Sequence, residues 1–381
     1  MKSKKLLYLL MILLTACRGE DLLVPSEQEH RGDTLRTEVV GFYLLNEGNM
    51  GSNKASLDYY DYTTATYTRN IYTAANPEVT QSLGDVGNDL VIYGSRMYAV
   101  INCSNLVEVM DARTARHIGT LNVPNCRYLA FDGQYGYATS YAGPVLIDQN
   151  YKQIGYVQRF DTATLQLVDT CHVGFQPDEL EVVGRHLYVA NSGGYMVPNY
   201  EHTVSVIDLE TFKETERIEV AVNLHRVTAD KYQQLWVSSR GDYYDIPSRL
   251  YCIDTRTNRL VDSVCVPVSG MWLDGDSLYV YGSEFSYITM DWTLSYAIVN
   301  VRTHAVVTTN FITDGTEKNI AKPYGLMVHP VTKEIYVTDA KTYVNPGALH
   351  CYGADGKLKW SVRTGDIPAH FAIVSELQIK N

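Results

Sequence analysis

The chain has 381 residues, 43 Asp and Glu against 32 Lys and Arg, and a formal charge of −11. Its basic residues are not clustered, which excludes nucleic acid as a partner, because that binding rests on basic contacts to phosphates. Seven cysteines without a Cys-x-x-Cys pair give no support to a zinc site.

At the N-terminus, Lys2, Lys4 and Lys5 precede the apolar run Leu6 to Leu14, and Leu14-Thr15-Ala16-Cys17 places small residues at a cleavage point. This is the pattern of a secretory signal, and about 9 apolar residues fall well short of the ~20 that span a bilayer. The tetrapeptide resembles a bacterial lipobox. Glu20-Asp21 resembles the acidic signal with which Bacteroidetes export lipoproteins to the cell surface. The expected organisation is a lipoprotein signal peptide over 1–17 with a lipidated Cys17, a flexible polar tether over 18–38, and one folded domain over 39–381. A lipid anchors without spanning, so the expected place is the outer membrane at the cell surface, held there through the lipid alone.

From residue 41 onward two markers recur. The first is Asp-x-x-Thr, beginning at Asp61, Asp111, Asp161, Asp208 and Asp254, with Asn300 opening a sixth copy. The steps are 50, 50, 47, 46 and 46 residues, and each copy is a turn in which the Asp or Asn side chain bonds its own backbone. The seventh place holds Tyr352-Gly353-Ala354-Asp355-Gly356, an Asp-Gly turn. The second marker is an aromatic in an apolar strand upstream of each turn: Tyr43, Tyr98, Tyr137, Tyr188, Trp236, Tyr279 and Tyr336. Around these markers each unit reads as four short strands, A to D, with period-2 alternation. Seven such units predict an all-β, seven-bladed β-propeller of four-stranded blades rather than a solenoid. Pro368 to Val374 repeats the strand A pattern of Pro177 to Val183, while the first unit opens at strand B. The ring is therefore expected to close with the C-terminal strand in the first blade, which removes open sheet edges. Cys171, Cys252, Cys265 and Cys351 lie in strand-like runs and read as small core residues; Cys103 and Cys126 are candidates for a disulfide.

The Asp-x-x-Thr positions repeat, so they belong to the scaffold. Positions that differ from blade to blade are the candidates for a site. Two sets qualify, and a propeller brings both to one face around its axis. The residue pairs opening strand A are Asn88-Asp89, Arg127-Tyr128, Asp178-Glu179, His225-Arg226, Ser269-Gly270, Tyr324-Gly325 and Ala369-His370. The B-to-C loops are long and rich in tyrosine, of which the chain has 30 against 8 Phe, as befits rings that also hydrogen-bond. The expected ligand-binding residues are Arg127, Asp178, Asn191, Tyr195, Tyr200, His225, Arg240, Asp242, Tyr243, Phe285, Tyr287, Tyr343 and His370. Aromatic walls with a few convergent polar groups suit a small molecule or peptide. No catalytic residue is expected: Ser192 lacks a nucleophile elbow, Asp242 and Asp245 read as a solvated loop, and His225 with His370 lack further metal ligands.

Tyr188-Val189-Ala190-Asn191 and Tyr336-Val337-Thr338-Asp339 resemble the YVTN motif of YncE-like seven-bladed propellers. The stretch Gly41 to Asp61, "GFYLLNEGNMGSNKASLDYYD", resembles the start of BtuG-like proteins, the cell-surface cobalamin-binding lipoproteins of Bacteroidetes. Membership there would imply a non-enzymatic protein that captures cobalamin (vitamin B12), requires no cofactor, and passes its ligand to a BtuB-like TonB-dependent outer-membrane transporter. The alternatives left open by the residues are a surface propeller for a glycan, peptide or tetrapyrrole, and a metal-dependent propeller hydrolase or lyase.

Overall fold

The structure, a computed structural model, describes residues 34–79 and 82–380. The signal peptide, Cys17 and most of the expected tether lie outside the described residues; Thr34 to Glu38, at the end of that tether, are in strand. The chain divides into two units, Val39–Glu376 and a smaller one of Met1–Glu38 with Leu377–Asn381. Among the described residues, seven antiparallel sheets of four strands are present, with a single five-residue α-helix, Ile71–Ala75. This is a seven-bladed β-propeller.

Blade 4 shows why the sequence folds this way. Its strands are Pro177–Val183, His186–Asn191, Thr203–Asp208 and Lys213–Glu219, paired in that order. The inner strands B and C are buried on both faces, because each blade is sandwiched between two neighbours, and they read as near-continuous apolar runs. Strand D, at the rim, is mostly exposed. Period-2 alternation then divides strand B between two interfaces. Leu187 and Val189 pack towards blade 3, with Tyr137 and Val157; Tyr188 and Ala190 pack towards blade 5, with Leu224 and Val237.

The same division holds around the ring, and it explains the aromatic marker. Tyr43, Tyr98, Tyr137, Tyr188, Trp236, Tyr279 and Tyr336 each face the following blade. Where the ring carries a hydroxyl, it can reach the next blade's C-to-D turn. Tyr188 Oη donates to Asn258 Oδ1 at 2.8 Å, and Tyr98 Oη reaches the Thr162 carbonyl at 3.5 Å. The core of the propeller is thus a set of wedges between blades.

The Asp-x-x-Thr elements are the C-to-D hairpins. Asp161 Oδ1 accepts from Ala163 N, Thr164 N and Thr164 Oγ1 at 2.7–3.0 Å, and the bond from the backbone N–H three residues on recurs at Asp61, Asp111, Asp208 and Asn300. At Asp161 the hydrogen bonds from Thr164 hold the carboxylate below its ordinary range. The residue after the Thr takes a left-handed conformation: Ala65, Ala115, Leu165, Phe212, Asn258 and His304 all have φ of 51–58°. In blade 7 Gly356 fills that place at φ 77°.

Ring closure follows the expected route. The C-terminal strand, Pro368–Lys380, pairs with Thr34–Asn46 as strand A of blade 1. Two expectations about cysteine are settled here. Cys103 and Cys126 are both free thiols. Cys171, Cys252 and Cys351 are buried, but Cys265 is exposed, because it alternates with buried Val264 and Val266 just after a rim strand and points outward.

Candidate functional site

Two backbone devices aim side chains at the propeller axis. In five blades the residue before strand A is left-handed: Val86, Asn125, Gln176, Asn223 and Ile367, at φ of 45–61°. In blades 2, 3, 4, 5 and 7 the A–B pairing then slips, between Gly87 and Asp89, Cys126 and Leu129, Pro177 and Leu180, Leu224 and Val227, and Pro323 and Leu326. A bulge leaves its extra residues unpaired and re-aims them. The residues released are the blade-variable pairs, Arg127-Tyr128, Asp178-Glu179, His225-Arg226 and Tyr324-Gly325 among them.

These pairs and the B-to-C loops enclose a cavity of about 480 Å³ at the axis. Seven of the thirteen expected residues line it: Arg127, Tyr195, His225, Arg240, Tyr243, Phe285 and Tyr343. The other six stand elsewhere. Asp178 is fully buried behind the wall, where Tyr141 Oη donates to its Oδ1 at 2.6 Å. Asn191 is fully buried and donates through Nδ2 to Thr203 Oγ1 and Ser205 Oγ. Tyr200 is buried and does not line the cavity. Asp242 accepts the backbone N–H groups of Tyr244 and Ile246, which against the cost of burial keep its carboxylate below the ordinary range. Tyr287 is exposed and stacks on Tyr244 at 5.2 Å. His370 lies deeper along the axis, with Nε2 3.2 Å from Glu47 Oε1.

The cavity also takes Glu47, Tyr128, Arg226, Tyr281, Glu284, Trp292 and Tyr324, which were not among the expected binding residues. Blade 6 accounts for several. Residues 282–292, the B-to-C connection of this blade, are largely a hairpin that continues strands Ser277–Ser286 and Asp291–Asn300, so Phe285 pairs with Trp292. The alternation Tyr279, Tyr281, Ser283, Phe285 was the signal for it.

The walls are unequal in charge. On blades 3 to 5, Arg240 Nη1 donates to Asp178 Oδ2 at 2.9 Å, and Arg127 Nε lies 3.7 Å from Asp178 Oδ1. Arg226 Nη1 donates to Glu179 Oε1 at 3.3 Å and its guanidinium lies 5.1 Å from the Tyr128 ring centre. Three guanidiniums therefore share two carboxylates. Between them His225, nine-tenths buried, sits with Nε2 3.1 Å from Tyr128 Oη. Burial first, then Arg240, Arg226 and Arg127, hold its imidazole well below the ordinary range and therefore neutral. Across the axis stand Glu47, which accepts from Tyr324 Oη at 3.0 Å, and Glu284, whose carboxyl is pushed up by burial.

A second chamber of about 350 Å³ continues along the axis, sharing Arg226, Tyr281 and Tyr324 with the first. It is lined by Asp89, Glu179, Glu181 and His370. Burial, and next the charge of Glu179, push the Glu181 carboxyl up to about 7. Among the described residues, no group of three or more His, Cys, Asp or Glu is placed to hold a metal ion.

Comparison with solved structures places the fold among propellers. Hydrazine synthase of Kuenenia stuttgartiensis superposes with a TM-score of 0.59 at 15% identity, over 77% of this chain and 95% of that one. A quinoprotein alcohol dehydrogenase-like protein of Bacteroides thetaiotaomicron gives 0.58 at 16% identity, over 89% and 79%. A functionally unknown protein of Desulfotomaculum acetoxidans gives 0.60 at 9% identity, over 87% and 98%. At these identities the likeness is one of fold. No curated protein matches the sequence. Residues 40–364 match the domain of unknown function DUF5074, and the chain belongs to that family.

Proposed function

We propose that this protein is a non-enzymatic, lipid-anchored surface receptor that binds cobalamin at the axial mouth and delivers it to a BtuB-like TonB-dependent outer-membrane transporter. The observation that carries the reading is the mouth itself: one cavity at the axis, walled by Tyr128, Tyr195, Tyr243, Tyr281, Phe285 and Trp292, with arginines on one side and carboxyls on the other. Such a site suits a large, asymmetric, amide-rich ligand that seats one end in the cavity and lies across an aromatic rim. The resemblance of Gly41 to Asp61 to cobalamin-binding lipoproteins supports the choice of ligand, and the lipobox-like Cys17 supports the location.

The test is direct. Purified protein is mixed with cyanocobalamin and desalted, and corrin absorbance is read in the protein fraction. Co-elution near one equivalent is expected. Absence of corrin from a folded sample overturns the cobalamin reading, and capture of a glycan or a tetrapyrrole in its place would turn the same mouth to that ligand.

A further inference from the structure

We propose that the wall of the mouth formed by blades 3 to 5 is an oxyanion subsite, which takes one phosphate-ester or carboxylate group of the ligand between Arg127, Arg240 and Nδ1 of His225. The inference rests on the mouth being a ligand site, as proposed above, and does not depend on which ligand occupies it.

Three observations converge. The first is a charge imbalance: Arg127 and Arg240 share the one carboxylate of Asp178, and Asp178 already accepts from Tyr141. Asp178 is fully buried, whereas the Arg127 and Arg240 side chains keep 13% and 25% of their surface exposed, so the carboxylate is out of reach of a ligand and the guanidiniums are not. The second is donor capacity without an acceptor. Arg127 Nε lies 3.7 Å from Asp178 Oδ1, beyond hydrogen-bond distance, and is buried with no hydrogen-bond partner. Asp178 thus leaves the guanidinium incompletely satisfied, which is rare for a buried donor. The third is His225. Its Nδ1 is also buried without a hydrogen-bond partner, on a residue that lines the cavity. In the tautomer whose Nε2 accepts from the Tyr128 hydroxyl, 3.1 Å away, Nδ1 carries the proton of the neutral ring and is a further donor. An oxyanion is the group that the exposed parts of both guanidiniums and the His225 ring would hold together, since charge-assisted bonds from guanidinium are the strong ones. The opposite wall, with Glu47 and Glu284, repels an anion and suits amide N–H groups, so the ligand has one orientation.

The probes are inorganic phosphate and acetate, titrated calorimetrically at constant ionic strength, with circular dichroism confirming the fold of each variant. Saturable phosphate binding is expected; a stronger response to acetate would assign the subsite to carboxylates instead. Arg240→Gln should weaken binding at least about tenfold, the loss of one hydrogen bond to a charged group; should that variant fail to fold, Arg127→Gln carries the same expectation. Asp178→Asn keeps an acceptor for Tyr141 but frees both arginines, so it should tighten binding, a direction that a merely structural pair would not give. No phosphate or acetate binding, indifference to both arginine changes, or weakened binding in folded Asp178→Asn would overturn the subsite. Cyanocobalamin, which carries a phosphodiester, is then compared with cobinamide, which lacks it. A preference for cyanocobalamin that vanishes in Arg240→Gln supports the subsite. Tight cyanocobalamin binding that ignores both arginines overturns the subsite and leaves the cobalamin reading intact. Phosphate binding without cyanocobalamin binding does the reverse.

Discussion

Arg240 and Asp178 meet across the boundary between blades 4 and 5, Nη1 to Oδ2 at 2.9 Å, with the carboxylate fully buried. Since Arg127 from blade 3 approaches the other oxygen, one carboxylate ties three consecutive blades together behind the cavity wall. Its removal leaves two partly buried guanidiniums without compensation. Asp178→Leu is expected to cost about 3–5 kcal/mol, the range for breaking a buried pair by deleting one partner. Urea unfolding measures it, and a cost below about 1 kcal/mol would mean that water already compensates the arginines.

The wedge aromatics give a second, graded expectation. Tyr188 is fully buried between blades 4 and 5, and its hydroxyl bonds Asn258. Tyr188→Phe should cost about 1 kcal/mol, one net hydrogen bond. Tyr188→Ala should cost about 3–5 kcal/mol, from lost burial and the cavity left in the wedge. Tyr279 is only partly buried, so Tyr279→Ala should cost less than Tyr188→Ala. Equal losses at the two positions would contradict the account of these rings as interblade wedges.

The C-to-D turn places a left-handed residue at a place the sequence does not mark. Ala65 is exposed at φ 52°, a conformation that costs an L-residue about 1–2 kcal/mol. Ala65→Gly should therefore stabilise by about 0.5–1 kcal/mol, the strain relieved less the extra chain entropy of glycine. Gly356→Ala should destabilise by at least about 1 kcal/mol, because its φ is 77° and an added Cβ would strike the Phe311 carbonyl. Opposite signs at two equivalent turn positions are checked by paired thermal melts.

These cases show where the sequence was legible and where it was not. The ring was readable because its parts repeat: Asp161 and Asp208 stand at one turn of two blades, and Tyr188 and Trp236 at one wedge. Placement within the mouth was not, since loop side chains have no period to fix their direction. Asn191 shows this. It ends a strand B that reads like the others, yet its amide turns inward to Thr203, Ser205 and the Gly174 N–H. The bulges are hidden for a related reason. An extra residue in Arg127-Tyr128 leaves the apolar spacing of strand A nearly unchanged while rotating both side chains to the axis. Glu284 and Trp292 were not legible because a B-to-C connection reads as loop, although the alternation in blade 6 describes a hairpin.

The second chamber makes stability depend on pH. Glu181 is pushed up to about 7 by burial and then by Glu179, above its value in the unfolded chain. Between the two values the folded state holds a proton that the unfolded state has released, so stability falls as pH rises through that window and stays low above it. Glu181→Gln removes the dependence. The variant should withstand more urea than wild type at about pH 8 and show no advantage near pH 4, below both values. Parallel curves across that range would mean that Glu181 is well hydrated.

Tyr343 joins strain to binding. It lines the mouth in a left-handed conformation, φ 66°, held by its N–H bond to the Ala340 carbonyl at 2.8 Å and by the Tyr324 ring 5.8 Å away. A bulky residue in that region is an outlier, and such outliers gather at ligand clamps, where the surrounding structure holds them in place. Tyr243 repeats the feature at φ 67° on blade 5. Glycine at either turn would relieve that strain at a cost in chain entropy, and both rings line the mouth. Tyr343→Gly should relieve about 1–2 kcal/mol of left-handed strain, offset by the chain entropy of glycine and by the loss of packing against Tyr324. Stability should therefore change by less than about 1 kcal/mol, while cyanocobalamin binding weakens by about tenfold, one stacked aromatic contact. Affinity falling while stability holds would identify a ring held in strain for a ligand. If Tyr343→Gly lowers both, the ring supports the loop; if affinity is unchanged, the ligand does not reach blade 7.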